Sequence, residues 1–106
     1  MHVHRILLEK RPPGCAIVSA ETDLPFKNRI KPGCIVTLRF HEVRILAQVV
    51  DLDEDEFLLG QVVDLDGVRR EDDQQDRPVW PELQGLQVGT YLRFREGHVF
   101  ACQISY

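Results

Sequence analysis

The chain has 106 residues, of which 43% are apolar and 28% charged, and its net charge is −4. This length and balance are typical of one globular domain, residues 1–106, and exclude a disordered chain. The acidic excess disfavours a partner rich in phosphates, and no apolar run is long enough to span a bilayer. Residues 1–13 carry too many charges for a signal peptide, so we expect a cytoplasmic protein with no membrane contact.

Short stretches in which apolar and polar residues alternate predict seven strands with turn residues between them. They are predicted at residues 3–9, 15–20, 34–40, 43–50, 57–64, 90–95 and 98–106. Glu96 and Gly97 are predicted to form a two-residue hairpin turn. The polar residues 66–78 are predicted to form a mobile charged loop, and one helical turn is predicted after Pro81.

The central hairpin is predicted from two copies of one segment, Gln48–Asp53 and Gln61–Asp66, which both read QVVDLD. An acidic run, residues 53–56, lies between the copies and favours a turn. Two further segments resemble each other: Lys31-Pro32-Gly33 before an LRF triplet, and Gln87-Val88-Gly89 before another. Because the spacing from Gly to the triplet differs between them, we interpret this likeness as similar strand chemistry and not as a repeat. The chain is therefore predicted to be all-β, either a small SH3-like barrel or a curled antiparallel sheet.

The closing segment LQVGTYLRFREGHVFAC resembles the end of a family of uncharacterised bacterial small β-barrel proteins with an SH3-like plan. That ending has a Leu-x-x-Gly turn, a strand that ends in Phe, and a His-apolar pair. The matching positions are Leu86, Gly89, Leu92, Phe94, His98 and Val99, with Phe57, Gly60 and Val62 before them. A Trp expected in the preceding strand is absent from residues 43–50. The family has no assigned activity, so the resemblance implies a fold and no function.

Metal and cofactor chemistry are not predicted. Asp51, Asp53 and Asp55 have the spacing of an EF-hand loop, but Glu56 stands where that loop needs Gly, and Val62 where it needs Glu. The three cysteines are an odd, widely spaced set without a C-x-x-C pair, so neither a disulfide framework nor a zinc site is expected. We expect the cysteines to be small buried apolar side chains.

Catalysis is the function that the sequence supports least. Ser19 and Ser105 lie within predicted strands and lack a nucleophile elbow. Cys15 follows Gly14 near a turn and is the best candidate for a nucleophile. The carboxylates cluster in predicted loops where water keeps them ionised, whereas a catalytic pair needs one buried partner. We therefore predict that the protein is not an enzyme.

Binding residues are predicted on the solvent face of the strands. An outward stripe would hold Arg39, Arg44, Tyr91, Arg93 and Arg95. Two interpretations stay open: the arginines contact a single-stranded nucleic acid, or they pair with acids such as Glu42 and Glu96 on a solvated face. Trp80, between Pro78 and Pro81, is either a lid over the core or an anchor for a partner.

The predicted function is a non-catalytic binding module whose partner is another protein. The predicted contact residues are Trp80, Tyr91, Arg39, Arg93 and Arg95. Single-stranded nucleic-acid binding and a small-molecule-binding barrel are the alternatives. A homodimer is also predicted, because residues after His98 in the last strand carry no charge or Pro to prevent edge pairing.

Overall fold

The computed structural model describes residues 3–22, 24–26, 29–41, 43–52, 57–66 and 86–103. These residues form one seven-stranded sheet. Its strands are β1 (Val3–His4), β2 (Val18–Ser19), β3 (Ile35–Phe40), β4 (Val43–Leu52), β5 (Phe57–Asp66), β6 (Tyr91–Arg95) and β7 (Ala101–Gln103). In these ranges the other regular element is a 3-10 turn at Glu96–His98, and no helix is long and apolar enough to cross a membrane. The all-β prediction is confirmed.

The strand order is β1-β6-β5-β4-β3-β7-β2, and the strands from β3 to β6 form an antiparallel meander. β7 returns to pair antiparallel with the free side of β3. The predicted antiparallel pairing is found across the five central strands, whereas the two outermost pairs, β1 with β6 and β2 with β7, are parallel. The sequence predicted either a barrel or an open sheet. Over the described ranges the sheet is open, because its strands do not close into a barrel.

One face of the sheet forms the core, as the alternation predicted. Val36, Leu38, Ile45, Leu92 and Phe94 are fully buried, whereas Arg39, Arg44, Arg93 and Arg95 on the other face are exposed. The glycine of β5, Gly60, makes room for the Phe94 ring: a Cβ added there would lie 2.8 Å from Phe94 Cε1 and 3.2 Å from Ala47 Cβ. The absence of a side chain at Gly60 therefore lets the ring rest on the strand backbone.

The two QVVDLD copies face each other across β4 and β5, with Gln48 directly opposite Gln61. Each copy contains a β-bulge, at Val50 and at Val63, where the register shifts by one residue. After each bulge an aspartate accepts a backbone N–H from the next residue: Asp51 Oδ1 from Leu52 at 2.8 Å, and Asp64 Oδ1 from Leu65 at 2.9 Å. The repeated sequence thus forms the same bulge twice.

The strand register has a local two-fold symmetry about the Gln48–Gln61 pair. The two Gly turns occupy equivalent positions: Gly33 N–H donates to Val49 O at 2.7 Å, and Gly89 N–H donates to Val62 O at 2.8 Å. Both glycines have positive φ, 99° and 98°, which favours glycine there. The likeness of the two segments therefore has a structural meaning that the sequence interpretation missed.

The predicted hairpin turn at Glu96 and Gly97 is wrong, because the chain forms a 3-10 turn there and β7 pairs with β3 instead of β6. Val99 is fully buried and its N–H donates to Glu96 O at 3.0 Å, which anchors the chain after the turn. β7 also lies between β3 and β2, so the premise of an unpaired last strand is wrong. The argument for a homodimer through an unpaired last strand therefore fails, and the homodimer itself stays a prediction.

The N-terminal arm forms far less strand than predicted: β1 and β2 have two residues each. Between them the arm contributes Leu8 and Ile17 to the core. Arg11 holds it in place by donating to three backbone oxygens, those of Cys15 at 2.7 Å, Glu96 at 3.1 Å and Val99 at 2.9 Å. The sequence did not indicate this role for Arg11.

Candidate interaction surface

The clearest cluster on the solvent face lies where β5 begins and β6 ends, and we call Phe57, Arg93 and Arg95 the Phe57 corner. Arg95 is the direct cross-strand partner of Phe57, and Arg93 lies two residues away on the same face. The guanidinium carbons of Arg93 and Arg95 lie 4.3 and 4.4 Å from the centroid of the Phe57 ring. Two cationic groups are therefore held over one half-buried ring.

The ring contacts restrain both exposed arginines. A cation–π contact at an exposed site contributes about 0.5–1 kcal/mol and limits the rotamers of the long side chain. Both guanidinium carbons lie near one ring centroid, so the distance between them cannot exceed the sum of their distances to that centroid. Among the described residues no carboxylate pairs with Arg95, so the predicted pairing with Glu96 is not found there; Glu42 lies outside the described ranges.

A second pair of arginines lies at the opposite end of the sheet. Arg39 and Arg44 are direct cross-strand partners, and the Arg39 guanidinium carbon lies 4.6 Å from the centroid of the Phe100 ring. Arg44 is opposite Asp66, at the end of β5 far from Phe57. At about 3.3 Å per residue this separates the two ends by roughly 30 Å of strand.

The predicted single arginine stripe is therefore wrong. Its members lie on one face, but β3 and β6 flank the central hairpin on opposite sides. The local two-fold symmetry makes Arg39 and Arg95 equivalent and places them at opposite ends. Alternation along a strand predicts the face of a side chain, whereas its position on that face depends on strand order.

Half-buried side chains fill the middle of the face between the two arginine pairs. Tyr91, Gln61, Gln48 and Ile35 form one row across β6, β5, β4 and β3. Leu46 and Leu59 flank this row and are also half-buried. An apolar and amide-bearing centre with charged residues at its margin is the usual anatomy of a protein interface.

His98 connects the 3-10 turn to the Phe57 corner. Its Nδ1 accepts the backbone N–H of Arg95 at 3.1 Å. Burial of the imidazole lowers the pKa of His98 below its ordinary value of 6.5, and the positive charges of Lys10 and Arg95 lower it further. The imidazole is therefore neutral at pH 7, and a neutral ring with Nδ1 as acceptor carries its proton on Nε2.

The cysteines are only partly as predicted. Cys34 and Cys102 are buried, whereas Cys15 is exposed, so the prediction of three buried thiols is wrong for Cys15. Burial raises the pKa of the Cys102 thiol to about 12, and the neighbouring Cys34 adds to this shift. Such a thiol is protonated and unreactive at neutral pH. In the part of the chain that the structure describes, no three His, Cys, Asp or Glu side chains are grouped as metal ligands would be.

Several predicted features lie outside the described residues. They are Trp80, the acidic turn 53–56, the helical turn after Pro81, and the predicted mobile loop beyond Asp66, which itself ends β5. The structure adds residues that the sequence did not single out, namely Phe57 and Phe100 as ring partners and His98 as an acceptor. The pairing of Phe57 with Arg95 follows from the register of β5 against β6.

Comparisons of the chain with protein-family models, with curated proteins and with solved structures gave no match.

Proposed function

We propose that this chain is a non-catalytic cytoplasmic binding module that contacts an acidic segment of a partner protein with the Phe57 corner. The observation that carries the proposal is the placement of two guanidinium groups over one Phe ring on the solvent face. Arginine and aromatic side chains are enriched at the energetic centres of protein interfaces. Restraint of both side chains before binding reduces the entropy lost when the complex forms.

A compact acidic segment fits this surface better than a long nucleic acid does. The same face carries the exposed acids Asp64 and Asp66 toward the end away from the Phe57 corner. These charges and the net charge of −4 repel a polyanion that crosses the whole sheet. A peptide with a few carboxylates needs only one corner, where the Arg95 guanidinium offers a planar pair of donors.

Single-stranded nucleic acid is the second candidate, because arginines next to aromatic rings also stack on bases and bind phosphates. A small-molecule-binding barrel has less support, since the described part of the sheet is open and such a site requires an enclosed interior. The relation to the small-barrel family stays a prediction and would add no activity to the proposal.

The experiment measures binding of the full chain to a fluorescent peptide of eight glutamates and, separately, to an eight-nucleotide oligothymidine. We expect the peptide to bind more tightly than the oligonucleotide, and Arg95→Ala to weaken peptide binding about five- to thirtyfold. Phe57→Leu should weaken binding as well, because it removes the ring and keeps an apolar side chain.

Arg39→Ala is the matched control, because Arg39 occupies the equivalent position at the other end of the sheet and also contacts a Phe ring. It should change peptide binding less than twofold. Equal losses in Arg39→Ala and Arg95→Ala would show attraction by overall charge and refute the proposed corner. Tighter binding of the oligonucleotide would favour the second candidate.

A further inference from the structure

We propose that His98 is a positioning residue for Arg95 and that its protonation weakens binding at the Phe57 corner. The inference names the regulation of the proposed binding site, and it therefore rests on the proposed function. The backbone N–H of Arg95 donates a hydrogen bond to His98 Nδ1 at 3.1 Å.

This bond lies at a place where β6 has no neighbouring strand in the described ranges. β1 pairs with β6 at Tyr91 and Leu92, and does not extend to Arg95. The Arg95 N–H points to the outer edge of β6, away from β5, and donates there to the His98 side chain. The imidazole of His98 thus takes the role that a further strand residue would have in holding the end of β6.

The 3-10 turn that carries His98 is fixed from its other side. Arg11 donates to the carbonyl oxygens of Glu96 and Val99, and the Val99 N–H donates to Glu96 O. The side chain of Val99 is fully buried, so the turn is anchored in the core. A change in the His98–Arg95 bond is therefore transmitted to the end of β6 and not absorbed by the turn.

Protonation reverses the chemistry of this bond. An imidazolium carries a hydrogen on Nδ1, so a donor would face the Arg95 N–H donor. The new charge would also lie among cationic groups: Lys10 and Arg11 on the arm, and Arg95 on β6, with Glu96 the acid of the same turn. The end of β6 is expected to loosen, and the Arg95 guanidinium then leaves the Phe57 ring.

The sign of the pH effect separates this mechanism from simple electrostatics. A positive charge added at His98 would by itself strengthen attraction to an acidic partner. Loss of the Arg95 position would weaken binding instead. Weaker binding in acid therefore supports positioning, and tighter binding in acid would overturn it.

The first arm of the test does not depend on any partner. In the NMR spectrum of the full chain, the ring current of Phe57 should shift the side-chain signals of Arg95 upfield. We expect this shift to decrease from about pH 7.5 to about pH 5.0, with the same midpoint as the His98 ring signals. An Arg95 shift that stays constant while His98 titrates would overturn the inference.

Three variants make this arm specific. His98→Asn places an amide oxygen near the position of Nδ1 and does not titrate, so the Arg95 shift should persist at every pH. His98→Ala removes the acceptor and should reduce the shift at every pH. His41→Asn is the matched control, because His41 is an exposed histidine in the turn between β3 and β4; the parent behaviour should be unchanged.

The second arm repeats the octaglutamate titration at about pH 7.5 and about pH 5.5. We expect the parent to bind about three- to tenfold more weakly at the lower pH, and His98→Asn to lose most of this difference. Peptide binding without an acid-linked Arg95 shift would overturn the inference and leave the proposed function intact. An acid-linked shift without peptide binding at either pH would refute the proposed function and its regulation, while the positioning of Arg95 by His98 would stand.

Discussion

Gly60→Ala tests how closely the core side chains pack against the backbone of β5. Gly60 lies within β5, and the Phe94 ring and the Ala47 methyl group approach its backbone closely. An added Cβ would meet Phe94 Cε1 at 2.8 Å, Ala47 Cβ at 3.2 Å and Phe94 Cζ at 3.3 Å. Carbon atoms in comfortable contact are about 3.5–4.0 Å apart, so the Phe94 ring must move by several tenths of an ångström or more.

The Phe94 ring cannot move without cost, because it is fully buried in a close-packed core. An extra methyl group in such a core typically costs about 1–3 kcal/mol. The loss of backbone freedom in the unfolded chain offsets about 0.4–1 kcal/mol when Gly becomes Ala. We therefore expect Gly60→Ala to lower the free energy of unfolding by about 1–2 kcal/mol, equivalent to roughly 5–15 °C in the melting temperature.

Urea unfolding followed by far-UV circular dichroism measures this effect. Gly97→Ala is the matched control, since a Cβ there has no atom within 4 Å and should leave the midpoint nearly unchanged. In a Phe94→Leu background the smaller side chain should relieve the clash, so the added cost of Gly60→Ala should fall by half or more. A Gly60→Ala midpoint at or above that of the parent would refute this account of the core.

Three further predictions concern stability. Folding lowers the pKa of His98, so between the folded and unfolded pKa values the unfolded chain binds more protons than the folded chain. The stability that the neutral imidazole contributes is therefore complete above pH 6.5 and is lost as the pH falls through the pKa of the folded state. Urea midpoints measured against pH should therefore fall more steeply in acid for the parent than for His98→Asn, and parallel profiles would contradict this. Arg11→Ala should cost about 1–3 kcal/mol of unfolding free energy, because three backbone oxygens lose a cationic donor; a midpoint like that of the parent would exclude this role. Asp51→Ala and Asp64→Ala should each cost about 0.5–1 kcal/mol, and clearly unequal losses would argue against equivalent bulges.

The sequence was a good guide to which side chains face the core. In β3 and β6 the alternation of apolar and polar residues predicts the observed burial, since successive side chains in a strand point to opposite faces. It was a poor guide to the edges. Val3–His4 and Val18–Ser19 are strands only where β6 and β7 pair with them, and such long-range pairing leaves no local pattern.

The connection after β6 shows a similar limit. A Glu-Gly pair between two apolar stretches has the local chemistry of a tight hairpin turn. The chain instead crosses to β3, because Val99 is buried and the Phe100 N–H donates to Thr37 O at 2.9 Å. β7 thus pairs with the free side of β3, a strand that lies far away in the sequence.

The candidate site could be predicted in its residue types but not in its geometry. Tyr91, Arg93 and Arg95 were expected on the solvent face, and they are there. Phe57 was not expected among them, because its position depends on the register of β5. The register of β5 against β6 is unbroken from Phe57 to Gln61, but it is a pairing between strands far apart in the sequence, and no local pattern indicates it.

The local symmetry helps to separate the residues that build the sheet from those proposed to bind. The features that form the scaffold occur in both halves: a Gly turn, a bulge after QV, and an aspartate that accepts a backbone N–H. Some of the solvent-facing residues do not follow this rule. Arg39 and Arg95 are equivalent, but Arg39 is opposite Arg44 whereas Arg95 is opposite Phe57. The equivalent position in the other half holds Arg44, which is exposed, so the symmetric scaffold does not call for a ring there. The aromatic side chain beside two arginines is therefore a feature that the symmetry of the sheet does not require, and this is why the proposal rests on the Phe57 corner.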